Sequence, residues 1–252
     1  MISKSKLKEL SVYKQLKRCD EERVFVVEGV KMCQEALNAK LPVRLVCATN
    51  SWLSDHKDLP ASAEVFEADA DALERLSGMK TPNEVWMLVG RSDTETVGAS
   101  LPEGGLTIAL DHLQDPGNLG TIIRTADWFG VRHIVCSEGT VSCYNPKVVQ
   151  STMGSLFRIR IEQTALPQYL EACGKPVYGA LLDGENVWRR PLELPAEGAV
   201  LVIGNERRGI TAEVQQWVTR RIAIPNIGGT AESLNASVAA AILIAEFYRS
   251  KT

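Results

Sequence analysis

The second half of this sequence alternates short apolar runs with segments of helical periodicity. Leu106–Leu110, residues 177–182 and Ala199–Ile203 are almost purely apolar, as strands are when a sheet is covered on both faces. Further strands are predicted at residues 131–136 and 222–224, and helices at residues 119–129 and 145–153. Because strand and helix alternate, this half predicts an α/β fold with a parallel sheet.

Polar loops follow three of these predicted strands. They span residues 111–118, 204–209 and 226–232. In parallel sheets, ligands bind at the carboxyl ends of the strands. We therefore expect the three loops to meet around one ligand.

The last of these loops is rich in glycine and precedes an apolar helix. The predicted strand stops at Pro225, and a helix is predicted over residues 233–247 with Ser233 as its cap. Outward-facing backbone groups at such a junction suit a polar small molecule. We therefore expect residues 226–232, here called the glycine loop, to hold a cofactor.

The first part of the chain predicts a smaller α/β unit of about ninety residues. Helices are predicted at residues 3–18, 30–40 and 69–76, and strands at residues 24–27, Val43–Ala48 and 85–89. A stretch of Gly, Ser, Thr, Pro and acidic residues at about 90–105 reads as a linker. The predicted domains are thus residues 1–95 and 105–252.

Charge and composition limit the possible functions. The 252 residues carry a net charge of −3 and 45% are hydrophobic, which excludes a uniformly basic nucleic-acid coat but allows a local basic patch. The candidate patch lies in the first predicted helix and consists of Lys4, Lys6, Lys8, Lys14, Lys17 and Arg18. A solvated helix face explains the same charges equally well.

Cysteine and histidine spacing argues against disulfide and metal chemistry. The six cysteines include no CxxC pair, so free thiols in a reducing cytosol are expected. The three histidines lack metal-ligand spacing. We recognise no signal peptide, and the longest apolar run, residues 236–245, is too short to span a bilayer.

Two further motifs carry candidate site residues. In DHLQDPGNLGTIIRTADWFG, Asn118 lies near a predicted helix start and Arg124 follows on its first turns, an arrangement that suits an anion. Taken alone, Asn118 is equally explained as a helix cap, and Arg124 as a surface charge. In LVIGNERRGI, Gly204 follows a buried strand and would let a ligand approach the backbone, although strand–glycine junctions are common in α/β proteins.

Several common signatures are missing. The sequence has no Walker lysine motif and no GxGxxG, which argues against an ATP-binding or dinucleotide-binding protein. It also lacks GxSxG and a catalytic Cys–His arrangement. A nucleotide-binding α/β protein of another kind remains an alternative.

Together, the three constellations resemble the SpoU/TrmH family of SPOUT-class RNA methyltransferases. The stretch NLGTIIRTA from Asn118 looks like the family's first motif, IGNE with Gly209 like its second, and Ile224-Pro225 with SLNAS from Ser233 like its third. The likeness spans residues 106–247. FVVEG from Phe25 resembles, with lower specificity, the ribosomal-protein-like RNA-binding domain that often precedes this catalytic domain.

The resemblance implies an S-adenosylmethionine-dependent enzyme that methylates ribose 2′-hydroxyls in rRNA or tRNA. It also implies a C-terminal trefoil knot that forms the cofactor pocket, and a homodimer through the knotted domain. The two-domain layout resembles the rRNA-modifying branch, so rRNA is preferred over tRNA. An RNA-binding homologue that has lost catalysis is the other alternative, against which the intact motif residues argue.

The resemblance also assigns roles to individual residues. Arg124 would be catalytic, oriented by Asn118. Residues implied for the reacting end are Glu206, Ser233 and Asn235. Those implied for cofactor binding are Leu182, Gly204, Asn205, Gly209, Ile224 and Leu234. Those implied for RNA binding are Lys4, Lys6, Arg18, Glu28 and Arg124. No metal is expected at this site.

Overall fold

A computed structural model describes residues 1–79, 81, 83–91 and 104–249. Most of the predicted linker at about 90–105 lies outside these residues. The chain forms two compact units, the first of Met1–Thr94 with Tyr144–Phe157 and the second of Glu95–Cys143 with Arg158–Thr252. None of the described helices has the length and apolar character needed to cross a membrane.

The first part of the chain contains nine regular elements besides a short 3₁₀ helix at Ser11–Lys14. They are α1 (Lys4–Leu10), α2 (Leu16–Glu21), β1 (Val24–Glu28), α3 (Val30–Asn38), β2 (Val43–Ala48), α4 (Asn50–Asp55), β3 (Glu64–Glu67), α5 (Ala70–Leu76) and β4 (Val85–Gly90).

The remaining elements run from Leu106 to Tyr248. They are β5 (Leu106–Leu110), α6 (Pro116–Trp128), β6 (His133–Cys136), α7 (Pro146–Thr152), β7 (Arg160–Gln163), α8 (Leu166–Ala172), β8 (Val177–Asn186), β9 (Ala199–Ile203), α9 (Ala212–Gln215), β10 (Arg220–Ala223) and α10 (Ala236–Tyr248), with a 3₁₀ helix at Ser155–Phe157.

The first unit is built on a mixed four-stranded sheet in the order β1-β4-β2-β3. Strand β4 runs antiparallel to both β1 and β2, while β2 and β3 are parallel. The single helix predicted over residues 3–18 is wrong: Gln15 is extended, with φ −93° and ψ 120°, and separates α2 from the 3₁₀ helix. This break lets Leu10, Tyr13 and Cys19 all enter the same buried core.

Part of the first unit comes from the middle of the sequence. The ring of Phe25 on β1 lies 5.0 Å from that of Tyr144 and 6.3 Å from that of Phe157. Gly154, at φ +91°, comes so close to Glu35 that a Cβ there would lie 2.9 Å from the glutamate Cγ. The sequence predicted residues 144–157 in the second domain, but contact with β1 groups them with the first unit.

The second unit contains the predicted parallel sheet. Its six strands lie in the order β10-β8-β9-β5-β6-β7, and every adjacent pair is parallel. All residues of the central strands β5 and β9 are buried, as their apolar sequences predict. The α/β prediction with a parallel sheet is therefore confirmed.

One irregularity of this sheet shapes the site. Arg221 on β10 pairs with Gly179, but the next residue, Ile222, pairs with Glu185, so residues 180–184 leave the ladder. Gly184 then crosses β10 so closely that a Cβ there would lie 2.4 Å from the carbonyl carbon of Ile222. The displaced residues lie beside a cavity described below.

Candidate active site

A cavity of about 460 Å³ lies at the carboxyl ends of β8, β9 and β10. All six residues predicted for the cofactor line it, namely Leu182, Gly204, Asn205, Gly209, Ile224 and Leu234. Aliphatic side chains, including Leu181, Ile203 and Leu243, form much of the wall. The cavity therefore combines an apolar interior with backbone from two polar turns.

The glycine loop does not itself line this cavity. Ile224 before the loop and Ser233 and Leu234 after it do, whereas residues 225–232 do not. Asn226 instead closes the loop on itself, accepting from the N–H groups of Gly228 and Gly229 at 3.0 and 2.7 Å. The expectation that this loop cradles a cofactor is corrected: its two flanks reach the cavity.

The turn at residues 204–209, here called the arginine turn, is tightly closed. Asn205 and Gly209 exchange two backbone hydrogen bonds of 3.0 Å. The side-chain oxygen of Asn205 accepts from the N–H groups of Arg207 and Arg208 at 2.9 and 3.1 Å. A Cβ on Gly204 would lie 2.2 Å from the Gly209 carbonyl carbon. Glycine is therefore needed here first to let the turn close on itself, and not only to let a ligand approach.

Three separated polar residues form a connected hydrogen-bond chain beside the cavity. Asn235 Nδ2 donates to Asn118 Oδ1 at 2.9 Å, and Asn118 Nδ2 donates to Glu206 Oε1 at 2.9 Å. The same Glu206 oxygen accepts from the backbone N–H of Asp115 at 3.3 Å. All three sequence motifs thus meet through side chains, as the strand-end argument predicted.

The two helices at the site begin differently from the prediction. Helix α6 starts at Pro116 and is capped by Asp115, whose Oδ1 accepts from the N–H of Asn118 at 2.8 Å. Helix α10 starts at Ala236 and is capped by Asn235, not by the exposed Ser233. Because neither Asn118 nor Ser233 is a cap, both side chains are available for other contacts.

Arg124 lies on the exposed side of α6. Within the described parts of the chain, its guanidinium makes no hydrogen bond or ion pair. Among the described residues, no hydrogen bond joins Arg124 to Asn118, whose side chain bonds Glu206 and Asn235, so the orientation of Arg124 by Asn118 stays a prediction. Within the same residues, Arg124 is an unpaired cation on the helix that carries Asn118.

An Asp–His pair at the end of β5 was missed by the sequence analysis. The fully buried Asp111 holds the Thr211 N–H at 2.7 Å with one oxygen and His112 Nδ1 at 2.7 Å with the other. His112 has a left-handed φ of +55°, and its carbonyl accepts from Asn205 Nδ2 at 2.7 Å. A histidine with this backbone is uncommon, and no residue pattern marked it.

A second missed pair lies at the cavity wall. Arg221 donates from one nitrogen to both oxygens of Asp183 at 2.7 Å. This hydrogen bonding lowers the pKa of the Asp183 carboxyl below its ordinary value. The pair joins the displaced segment of β8 to β10, and both residues line the cavity.

The RNA-binding residues predicted in the first unit have mixed environments. Lys4 is exposed. Lys6 donates to Glu9 at 2.9 Å, and this hydrogen bond raises the pKa of the lysine. Arg18 forms ion pairs with Glu21 and Glu22. Glu28 is buried and accepts from Ser77 Oγ and the Gly78 N–H at 2.5 and 3.2 Å.

Known families account for both parts of the chain. Residues 105–245 match the model of the SpoU rRNA Methylase family. The chain belongs to the SpoU rRNA methylase family. Residues 4–86 match the MRM3-like substrate binding domain. The structure thus supports the resemblance stated from the motifs, and the family assignment covers all three strand-end loops.

Among curated relatives, the chain is 32% identical to the 23S rRNA (guanosine(2553)-2′-O)-methyltransferase RlmP of Bacillus subtilis, over 87% of this chain and 86% of that protein. It is 26% identical to the 23S rRNA (uridine(2479)-2′-O)-methyltransferase of Streptomyces viridochromogenes, over 90% of this chain and 83% of that protein.

Solved structures show the same fold over nearly the whole chain. A putative RNA methyltransferase of the TrmH family from Porphyromonas gingivalis is 37% identical, with a TM-score of 0.87 over 99% of each chain. An AdoMet-bound rRNA methyltransferase from Sinorhizobium meliloti is 28% identical, with a TM-score of 0.88 over 100% of this chain and 98% of that one.

Proposed function

We propose that this protein is an S-adenosylmethionine-dependent methyltransferase that modifies a ribose 2′-hydroxyl in ribosomal RNA. The carrying observation is that the second and third family motifs line one cavity, and that a hydrogen-bond chain through Asn118 joins the first motif to both. Ribosomal RNA is favoured because relatives that align over most of both chains carry 23S rRNA names.

The cavity fits the cofactor in size and chemistry. Its volume of about 460 Å³ lies within the range of small-molecule sites. Aliphatic walls suit an adenine ring, and the cofactor-binding roles proposed for Gly204, Ile224 and Leu234 are backbone and apolar contacts. The cofactor supplies an electrophilic methyl group carried on a sulfonium.

The hydrogen-bond chain positions the reacting end of the site. Glu206 and Ser233 line the cavity, while Asn118 donates to the Glu206 carboxylate and is itself held by Asn235. We propose that this arrangement holds the cofactor and the ribose in register. Holding two reactants in position is a large source of rate, because their encounter becomes effectively unimolecular.

Arg124 is proposed to bind the RNA and stabilise negative charge that develops on the attacking 2′-oxygen. Its guanidinium is exposed and has no partner within the described residues, so it is available to a substrate. A guanidinium stays protonated in proteins, which argues against a role as the base. Preorganised donors aimed at developing charge are worth several kcal/mol in catalysis, about 3 for one donor.

The knot and the dimer are further parts of the proposal. Support for a knot is the family assignment together with the close backbone approach of Gly184 to Ile222. Support for a homodimer through this unit is the exposed apolar surface on neighbouring helices, with Trp128 of α6 and Val238 of α10. Sedimentation should give a dimer, and Trp128→Glu should weaken it.

The first unit is proposed to bind RNA by shape and backbone contact. Lys4, Lys8, Lys14 and Lys17 are exposed, whereas Lys6 and Arg18 must exchange intramolecular carboxylate partners for phosphates. Buried Glu28 acts by holding the Ser77 hydroxyl and the Gly78 N–H. If phosphates dominate, RNA affinity will fall steeply with added salt.

We place the reaction in the cytoplasm. The proposed substrate is ribosomal RNA, and all six cysteines are free thiols. Reducing compartments keep thiols in this state. Fractionation of cells that express a tagged chain at native level tests this proposal.

Mass mapping of ribose methylation in total RNA, with and without the protein, tests the reaction. One 23S rRNA site should lose its methyl group and regain it when the purified protein acts on the undermethylated RNA. A missing methyl in tRNA would instead make this a tRNA enzyme. Unchanged RNA, together with no binding of S-adenosylhomocysteine, would refute the enzyme.

The Arg124→Ala variant tests the assigned chemistry. Methyl transfer should fall by about three orders of magnitude or more, whereas S-adenosylhomocysteine affinity should stay within about twofold. Arg132→Ala is the control, because Arg132 is already paired with Asp127 and does not line the cavity. Equal loss of cofactor binding and activity in the Arg124 variant would contradict the proposed role.

A further inference from the structure

Two adjacent arginines at the mouth of the cavity have no role in the proposed chemistry. Arg207 and Arg208 line the cavity and are exposed. Within the described part of the chain, neither guanidinium makes a hydrogen bond or an ion pair. Two exposed guanidinium groups side by side on a closed turn can bind one external anion together.

The turn that carries these arginines separates charge by sign. Glu206 points its carboxylate oxygen to Asn118 and the Asp115 N–H, behind the turn. Arg207 and Arg208 follow directly and are left to solvent. Among the described residues, Glu206 bonds these neutral donors and forms no ion pair with Arg207 or Arg208.

One side chain fixes the backbone of His112 next to the turn. Asn205 Oδ1 accepts from the N–H groups of Arg207 and Arg208, while its Nδ2 donates to the His112 carbonyl at 2.7 Å. The backbones of the three residues therefore lie within the reach of a single asparagine. They keep this spacing without help from a ligand.

His112 is held in one orientation. Ser137 Oγ accepts from its backbone N–H at 2.8 Å, Asp111 holds its Nδ1, and Gly139 lies against its Cδ2 edge. Its Nε2 has no partner among the described residues, and the side chain is 48% exposed. A left-handed histidine fixed on all other sides is a costly conformation of the kind found at functional sites.

We propose that the arginine turn and His112 bind the sugar–phosphate backbone of the RNA beside the target nucleotide. Arginines suit phosphate because the planar guanidinium can donate two parallel hydrogen bonds. The inference rests on the proposed function for the identity of the polyanion. It adds a binding surface on the second unit to the one proposed on the first.

The double variant Arg207→Ala/Arg208→Ala tests the surface by binding alone. Affinity for a protein-free 23S rRNA transcript should fall about tenfold or more at low salt. The slope of log affinity against log salt should become shallower by about 1 to 2, as two phosphate contacts are lost. Affinity for S-adenosylhomocysteine should be unchanged.

Arg189→Ala/Arg190→Ala is the matched control, because it removes two consecutive exposed arginines from the same unit. Its salt slope should stay near that of wild type. Equal slope changes in both double variants would reduce the effect to net charge and overturn the site. A loss of S-adenosylhomocysteine affinity with normal RNA binding would show that the arginines hold the cofactor carboxylate instead.

His112→Gly tests the histidine without adding backbone strain, because glycine adopts a positive φ readily. The change also removes the bond between Nδ1 and the fully buried Asp111, so thermal stability should fall somewhat, while RNA affinity should fall severalfold. Wild-type RNA affinity would remove His112 from the surface. If the wild-type enzyme methylates no RNA, the proposed function fails, whereas these binding measurements still decide whether the surface holds a polyanion.

Discussion

The arginine turn and the glycine loop look alike in sequence but differ in how the fold uses them. Both follow a strand at the same edge of the sheet, and both contain glycines and an asparagine that closes the turn. The arginine turn lines the cavity and is bonded to α6 and to the His112 carbonyl. The glycine loop is exposed along residues 226–232 and bonds chiefly to itself.

The difference teaches that glycine content alone does not identify a binding loop. Gly204 is required because the turn closes on itself there, and a Cβ would lie 2.3 Å from the Ile210 nitrogen. Gly228 has a φ of +100° but nothing within 4 Å of its Cβ position. The arginine turn, which has the tighter contacts, is therefore the preformed one, and the glycine loop only sets the distance between its two flanks.

Gly204→Ala should have the largest effect, because its Cβ would meet backbone atoms that the Asn205–Gly209 bridge holds in place. Overpacking of this kind costs about 3 kcal/mol in unfolding free energy. Urea unfolding and S-adenosylhomocysteine titration would measure the loss of stability and of cofactor affinity. An unfolding midpoint equal to that of wild type would mean that the turn can shift, and the comparison would fail.

Glu206→Ala should have an intermediate effect. The change removes the acceptor for Asn118 Nδ2 and for the Asp115 N–H, and leaves the buried amide of Asn118 without its partner. Loss of such a bond costs about 2 kcal/mol. Glu206→Gln keeps an acceptor oxygen and should lose about half as much in the same urea measurement; equal losses would point to charge rather than hydrogen bonding.

Gly228→Ala should have the smallest effect of the three. Because Gly228 has a positive φ, an alanine there should lower the unfolding free energy by about 1 kcal/mol, and an exposed loop can relax part of that strain. Cofactor affinity should not change, because the loop is outside the cavity. Gly229→Ala, at a negative-φ glycine with 3.5 Å to the nearest atom, is the control and should match wild type in both stability and affinity. Lost affinity in the Gly228 variant would restore the loop as a cofactor element.

Local patterns predicted the central strands better than the edge strands. Leu106–Leu110 and Ala199–Ile203 were predicted with their observed bounds, because buried parallel strands carry an unbroken apolar signal. The edge strands Glu64–Glu67 and Arg160–Gln163 were missed, since their side chains are mostly half-exposed or exposed and charged residues interrupt the pattern. Helices α4, α8 and α9 were missed as well, and α9 has only four residues, too few to show a period.

Cap positions show where single-residue reasoning stops. Asn118, Ser233 and Asn235 are all chemically able to cap a helix. Which one does so depends on contacts between residues far apart in the chain, 88 positions for Asn118–Glu206 and 117 for Asn118–Asn235. These contacts draw Asn118 into the hydrogen-bond chain, while Asp115 takes the cap of α6. No window of sequence contains those partners.

The sequence by itself determined the parallel sheet, the edge at which its polar loops meet and the family whose motifs those loops carry. These follow from apolar periodicity and from the order of short motifs, both of which are local. The tertiary structure alone decided that the flanks of the glycine loop, and not the loop, reach the cavity, that Arg124 has no partner within the described residues, and that residues 144–157 pack on β1. These depend on which distant backbones come within hydrogen-bonding or van der Waals distance, and a local pattern carries no record of that.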